Sequence, residues 1–218
     1  MLRPRKKLLI KVIAATLMAV GTASIIAGAV LYIRQPKLLR IAPDHRAAST
    51  GSSPSSAKLT PLFVANYSVP PSNPKYISIP AIHITNTPVV QLGLQAGVIA
   101  TPDNVYEVGW YAGSSLPGQS GAAFMYGHVS SWTAKGVFYN LRKLVAGDKI
   151  VVTRGDDTTF EYQVVSAKTF PADNVNMAEV LAPISPDKPG LNLMTCTGRV
   201  ISGTSEFSER LVVFAKLL

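Results

Sequence analysis

Cysteine is almost missing from this sequence: Cys196 is the only one, so no internal disulfide can form. Histidine is nearly as scarce, with three residues. One cysteine and scattered histidines give no zinc-ligand spacing. Asp156 and Asp157 share a turn, but no loop carries the spaced carboxylates that calcium needs. A phosphate-binding loop is missing too, because GSSLPGQSG (113–121) is not followed by Lys-Ser/Thr. The sequence therefore predicts no metal and no cofactor. Acidic residues are missing from the first third. Residues 1–72 hold ten basic side chains and one acidic, Asp44, whereas 73–218 hold eleven of each, so the whole net charge of +9 sits near the N-terminus. A neutral main domain has no basic face to neutralise phosphates, which argues against a nucleic-acid partner.

Charge is absent altogether from Val12 to Ile33. As a helix at roughly 1.5 Å per residue, this run would span about 33 Å, enough for a bilayer core. Arg3, Arg5, Lys6, Lys7 and Lys11 precede it, the flank expected on the cytoplasmic side. A cleaved signal peptide is the competing reading, with small residues at Ala27, Gly28 and Ala29, but signal-peptide apolar cores run only about 7–15 residues. The expected layout is a basic cytoplasmic tail (1–11), a single transmembrane anchor (12–33), a Ser/Pro-rich stalk (34–74) and an extracellular domain (75–218). Within the stalk, 41–58 and 68–74 are too rich in Ser, Pro and Gly to bury a core. Leu59–Tyr67 is apolar enough to pack on the domain edge.

Helical periodicity is weak beyond residue 75. Val137–Leu144 and Met177–Leu181 are each compatible with about two turns. Short β-rich runs dominate instead: Tyr76–Ile79, Pro88–Leu92, Ala122–Tyr126, Lys149–Thr153, Phe160–Ala167, Leu191–Thr195 and Leu211–Ala215. Gly155-Asp156-Asp157 marks a hairpin turn. Seven or eight short strands over this length predict an all-β domain, a closed or nearly closed barrel with short helices.

Few residues are left for chemistry. His45 lies in the stalk, and His83 sits in AIHIT, an extended stretch where a structural role is expected. His128 follows an apolar strand and Gly127, at a strand end of the kind that presents working side chains. Gly127 allows close backbone approach or an unusual φ. In LNLMTCTG, alternation puts Cys196 on the face opposite Thr195, again at a strand end. An unperturbed thiol, with a pKa of about 8.5, is only slightly ionised at neutral pH, so a reactive cysteine needs a cationic partner. His128 and Arg210 are the candidates. Arg199 is closer in sequence, but it follows Gly198, where the chain is expected to leave the strand.

The ordered combination YGHV (126–129), LMTCTG (193–198) and ERLVVFA (209–215) resembles the sortase family. YISIPAIHI, TPDNVYEVGWY (101–111) and GVFYNLRKLVAGDKIVV (136–152) extend the resemblance over about 75–218. Asn192 departs from the usual Thr-Leu-X-Thr-Cys string, which leaves the subclass open, although the TPDN…GWY stretch looks more like the housekeeping and actinobacterial classes. The resemblance implies an eight-stranded β-barrel and a transpeptidase. In that scheme Cys196 attacks the Thr carbonyl of a C-terminal sorting signal similar to Leu-Pro-X-Thr-Gly. Arg210 stabilises the oxyanion, and His128 protonates the departing amine and deprotonates the incoming one. An amine from a cell-wall precursor or a pilin lysine releases the acyl-enzyme. Met194 and Thr195, next to the nucleophile, are the expected substrate contacts, and Phe170–Gly190 is the expected groove-shaping loop.

Two other readings compete. Papain-like cell-wall peptidases place Cys before His and start a helix at the Cys; here His128 precedes Cys196 by 68 residues and Cys196 follows a strand. A non-catalytic β-domain that binds a surface partner would simply bury Cys196.

Overall fold

Valine, isoleucine and aromatic residues recur in short runs after residue 73. In the computed structural model, which describes residues 40–41, 54–95 and 97–218, eight segments form one closed barrel. These are β1 (Pro74–Ile79), β2 (Ile84–Leu92), β3 (Val108–Tyr111), β4 (Ala122–Gly127), β5 (Lys149–Arg154), β6 (Thr159–Pro171), β7 (Gly190–Val200) and β8 (Phe207–Leu217). The order around the barrel is β7-β8-β6-β5-β1-β2-β3-β4, and β4 closes on β7. The pairs β2–β3 and β4–β7 are parallel and the others antiparallel. The cytoplasmic tail, the anchor and residues 34–39 and 42–53 of the stalk lie outside the described residues.

Strand alternation sends side chains to two separate cores. Ile77, Ile79, Val89, Val108, Met125, Ile150, Val152, Tyr162, Leu191, Leu193 and Val213 fill the barrel interior. A second cluster covers the outer face of β4, β7 and β8. It contains Phe124 and Tyr126, Met194 and Cys196, and Val212 and Phe214, with Met177 and Val180 packed over them. Those last two come from α2 (Met177–Val180), capped by the Asn176 side chain and tied to β6 by the Lys168–Glu179 ion pair at 2.8 Å. Truncating a fully buried aliphatic such as Leu193 costs about 2–5 kcal/mol. An exposed pair such as Lys149–Glu161 contributes under about 1 kcal/mol, so the two cores decide stability.

Several local expectations change. Strand β3, Val108–Tyr111, carries no alternation, because all four residues are buried. Only Leu141–Lys143, a short 3-10 turn, forms within Val137–Leu144. Arg154 to Thr158 does close a hairpin, but Asp157 takes the left-handed backbone at φ 62 and Gly155 does not. Strand β7 runs to Val200 through an irregularity after Thr197, so Arg199 belongs to the strand and is exposed. His83 caps a 3-10 turn between β1 and β2 with φ 58 and is exposed, so it is neither extended nor packed.

The described end of the stalk packs on the barrel. Thr60 caps α1 (Pro61–Asn66), accepting a bond from the Phe63 amide, and proline occupies the first turn, where a missing N–H costs nothing. Tyr67 donates to the Val89 carbonyl at 2.8 Å, and Tyr76 reaches back to the Val64 carbonyl. Farther out, Ser55 bridges to Asn104, and Ser56 bonds Ser131 at 2.8 Å.

Candidate active site

The antiparallel pairing of β7 with β8 sets Cys196 directly opposite Arg210. Partners opposite each other project from the same face, with Cβ atoms about 5 Å apart. On the other side, the parallel register aligns Asn192 with Phe124 and Met194 with Tyr126. Extended by two residues, it brings Cys196 level with His128, just past the end of β4. The outer face thus carries three successive rows: Phe124, Asn192 and Phe214, then Tyr126, Met194 and Val212, and finally His128, Cys196 and Arg210. His128 and Cys196 have no exposed surface, and Arg210 is 4% exposed.

Each member of the last row is held by its backbone surroundings. Gly127 is required by close approach, since a Cβ there would lie 2.6 Å from the Phe138 ring. Gly136 is required likewise, because a Cβ would collide with the His128 carbonyl. That carbonyl accepts from the Phe138 amide at 3.0 Å, which folds the chain after His128 back on itself. The imidazole Nε2 lies 2.7 Å from the Pro102 carbonyl. A carbonyl only accepts, so Nε2 carries a proton and Nδ1 is the ring nitrogen whose protonation can change. Arg210 donates from Nη1 to the carbonyls of Phe207 (2.9 Å) and Glu209 (3.0 Å), which fixes the guanidinium against its own strand. The Tyr126 hydroxyl lies 3.1 Å from Cys196 Sγ, and its ring meets His128 edge-on with centroids 6.2 Å apart.

The two residues before the cysteine face opposite ways. Met194 lies in the outer row between Tyr126 and Val212. Thr195 is buried, and its hydroxyl donates to the Gly127 carbonyl at 2.7 Å. Asn192, four residues before Cys196, is fully buried, and its Nδ2 donates to the carbonyls of Val180 (2.7 Å) and Ala182 (2.8 Å). These acceptors define the amide orientation, and Oδ1 is left buried without a hydrogen-bond partner. Asn192 therefore clamps α2 and the 171–190 connection onto the nucleophile strand. Neither Tyr126 nor Asn192 stands out in the sequence as a site residue. Period-two spacing from His128 and Cys196 is the signal that would have placed both on the working face.

A thiol within β7, a guanidinium opposite it within β8 and an imidazole just past the end of β4, carried in one row on the outer face of a closed barrel, define a class of cysteine-dependent acyl-transfer site. The family model of the sortase domain matches residues 77–218, and the chain belongs to the sortase family, whose members are cysteine transpeptidases. Similar solved structures include sortase C of Streptococcus pneumoniae (25% identity, TM-score 0.52, covering 67% of this chain and 69% of that one). A lid mutant of sortase A from Corynebacterium diphtheriae is similar at 26% identity and TM-score 0.51, over 72% of this chain and 75% of that one. Sortase A from Corynebacterium diphtheriae matches at 28% identity and TM-score 0.49, over 65% of this chain, which spans 59% of that chain's length. Types A and C both occur among these, so the likeness singles out no subclass. No curated protein matches the chain in sequence.

Proposed function

We propose that this chain is a transpeptidase that cleaves a C-terminal sorting signal similar to Leu-Pro-X-Thr-Gly and transfers the acyl group to an amine. The observation that carries this reading is the direct pairing of Cys196 with Arg210, with His128 level on the neighbouring strand. Sγ of Cys196 attacks the Thr carbonyl carbon, and the oxyanion that forms is met by the guanidinium of Arg210. His128, protonated at Nδ1, gives its proton to the departing amine as the C–N bond breaks, leaving a thioester. The second amine then gives a proton to His128 and attacks the thioester, forming a new amide as the C–S bond breaks and restoring the Cys196 thiolate beside a protonated His128. A nucleophile without exposed surface must be uncovered before a peptide can reach it. The acceptor is an amine of a cell-wall precursor or a pilin lysine. The barrel works outside the cell, tethered by the 12–33 anchor, with residues 1–11 in the cytoplasm.

Incubating the protein with a pentapeptide library and an amine acceptor tests this reading. Amide products are expected from a subset of peptides sharing Thr at the cleaved bond. Absence of both product and acyl-enzyme across the library would leave the reading without support. The non-catalytic alternative predicts that outcome.

A further inference from the structure

We propose that Tyr126 is a fourth catalytic residue, whose phenol donates a hydrogen bond to the Cys196 thiolate and sets how much thiolate is available for attack. The inference rests on Cys196 being the nucleophile and adds a group that the Cys–His–Arg row does not contain. Its basis is placement. Tyr126 stands on the same face of β4 as His128, one row below it, and the β4–β7 register aligns it with Met194. From there its hydroxyl reaches diagonally to Sγ at 3.1 Å. The ring is fully buried, packed in the outer cluster with Phe124, Met194 and Met177, so the hydroxyl has little freedom to turn away.

The chemistry follows from ordinary acidities. A phenol ionises near 10 and a thiol near 8.5, so the sulfur gives up its proton first and the oxygen keeps its own. The O–H is then the donor and the thiolate the acceptor. Taking a thiolate out of water is unfavourable unless fixed donors replace the water, and this O–H is one such donor. When sulfur bonds to the substrate carbonyl it loses its charge and the bond to the phenol weakens, so Tyr126 acts on the resting nucleophile. Of the charged groups, His128 stands level with Cys196 beyond β4 and Arg210 stands opposite it on β8. Apart from Tyr126 and Tyr111, the buried residues clustered with Cys196 are apolar.

Because Cys196 is the only cysteine, protein labelled with [13Cβ]cysteine gives one resonance that reports its ionisation directly. Tyr126→Phe keeps the ring and removes the donor. A lost hydrogen bond to a charged acceptor corresponds to about tenfold less thiolate, a midpoint higher by about one unit. The thiolate that remains is more basic and more nucleophilic, so kcat/KM near pH 7 is expected to fall only about threefold. The deficit should close as pH rises. Tyrosine fluorinated on the ring at 126, a more acidic phenol and a stronger donor, should lower the midpoint. An unchanged or lower midpoint in Tyr126→Phe overturns the proposal. Should that variant not fold, a fluorinated protein whose midpoint fails to fall does the same. If Tyr126→Phe leaves the midpoint alone while Cys196 still forms a thioester, only the role of Tyr126 fails. Full turnover by Cys196→Ala would instead remove the nucleophile assignment itself.

Discussion

Thr195 ties the nucleophile strand to the histidine strand: its hydroxyl donates to the Gly127 carbonyl at 2.7 Å, one residue short of both Cys196 and His128. The two strands run parallel there, so this bond holds Cys196 level with His128 where β4 ends. Thr195→Val keeps the shape and leaves a buried carbonyl without its donor, at a cost of about 1–3 kcal/mol. A loss of a few degrees in Tm is expected, with a fall in kcat on the order of tenfold as His128 loses its register. Calorimetry and steady-state kinetics measure both. A change in Tm with unaltered kcat would limit Thr195 to packing.

Arg210 and Arg199 give opposite expectations. Arg210 is buried and fixed by two carbonyls, whereas Arg199 is exposed on the outer end of β7. An oxyanion needs a donor in place before charge develops, and losing one typically costs about 100- to 1,000-fold in rate. Arg210→Ala should lose activity on that scale. It should also lower Tm by a few degrees, because the carbonyls of Phe207 and Glu209 lose their donor. Arg210→Lys should recover little, since an ammonium lacks the planar fork. Arg199→Ala should be nearly silent, and kinetics on the three variants would expose an exchanged assignment.

Asn192 is expected to act through the 171–190 connection. Asn192→Ala frees the Val180 and Ala182 carbonyls and unclamps α2 from β7. Hydrogen exchange should accelerate at 177–182, and KM for a sorting-signal peptide should rise more than kcat falls. Equal effects on both would mean that the clamp does not shape substrate binding.

Glu107 makes stability depend on pH. Burial, and then the neighbouring Asp103 carboxylate, raise its pKa above the ordinary carboxylate value. The folded state thus holds the proton more tightly than the unfolded one. The associated stabilisation is full below the unfolded pKa and is lost as pH rises through the folded one. Glu107→Gln should therefore raise Tm at neutral pH by about 1–2 °C, and by less near pH 4. Melting curves at the two pH values decide it, and an equal gain at both would point to packing.

Much of the barrel was legible in the sequence because seven strands carry β-branched or aromatic runs between turn residues. Val108–Tyr111 was not, since a four-residue strand buried throughout shows no period. The apolar character of Leu59–Tyr67 was legible, but the helix Pro61–Asn66 within it was not, because six residues with none buried are too few to show a helical period. The chemistry of the site was legible as residue types and as motifs, and His128 does follow the end of β4, but Cys196 lies within β7 rather than at its end, because the strand continues past Gly198 to Val200. Its geometry was not, because the alignment of Cys196 with Arg210 and the reach of Tyr126 to sulfur depend on registers between segments far apart in the chain. His83 illustrates the converse: its apolar neighbours read as extended strand, but the left-handed turn between β1 and β2 exposes it.

The central claim is that Cys196 carries a covalent acyl group. Mass spectrometry of the wild-type protein, quenched in acid during turnover of a sorting-signal peptide, should find the peptide's N-terminal fragment attached to Cys196 as a thioester, and hydroxylamine should release it. Cys196→Ala should show neither adduct nor turnover while folding normally. Wild-type turnover by Cys196→Ala, or an acyl group carried on another residue, would contradict the account.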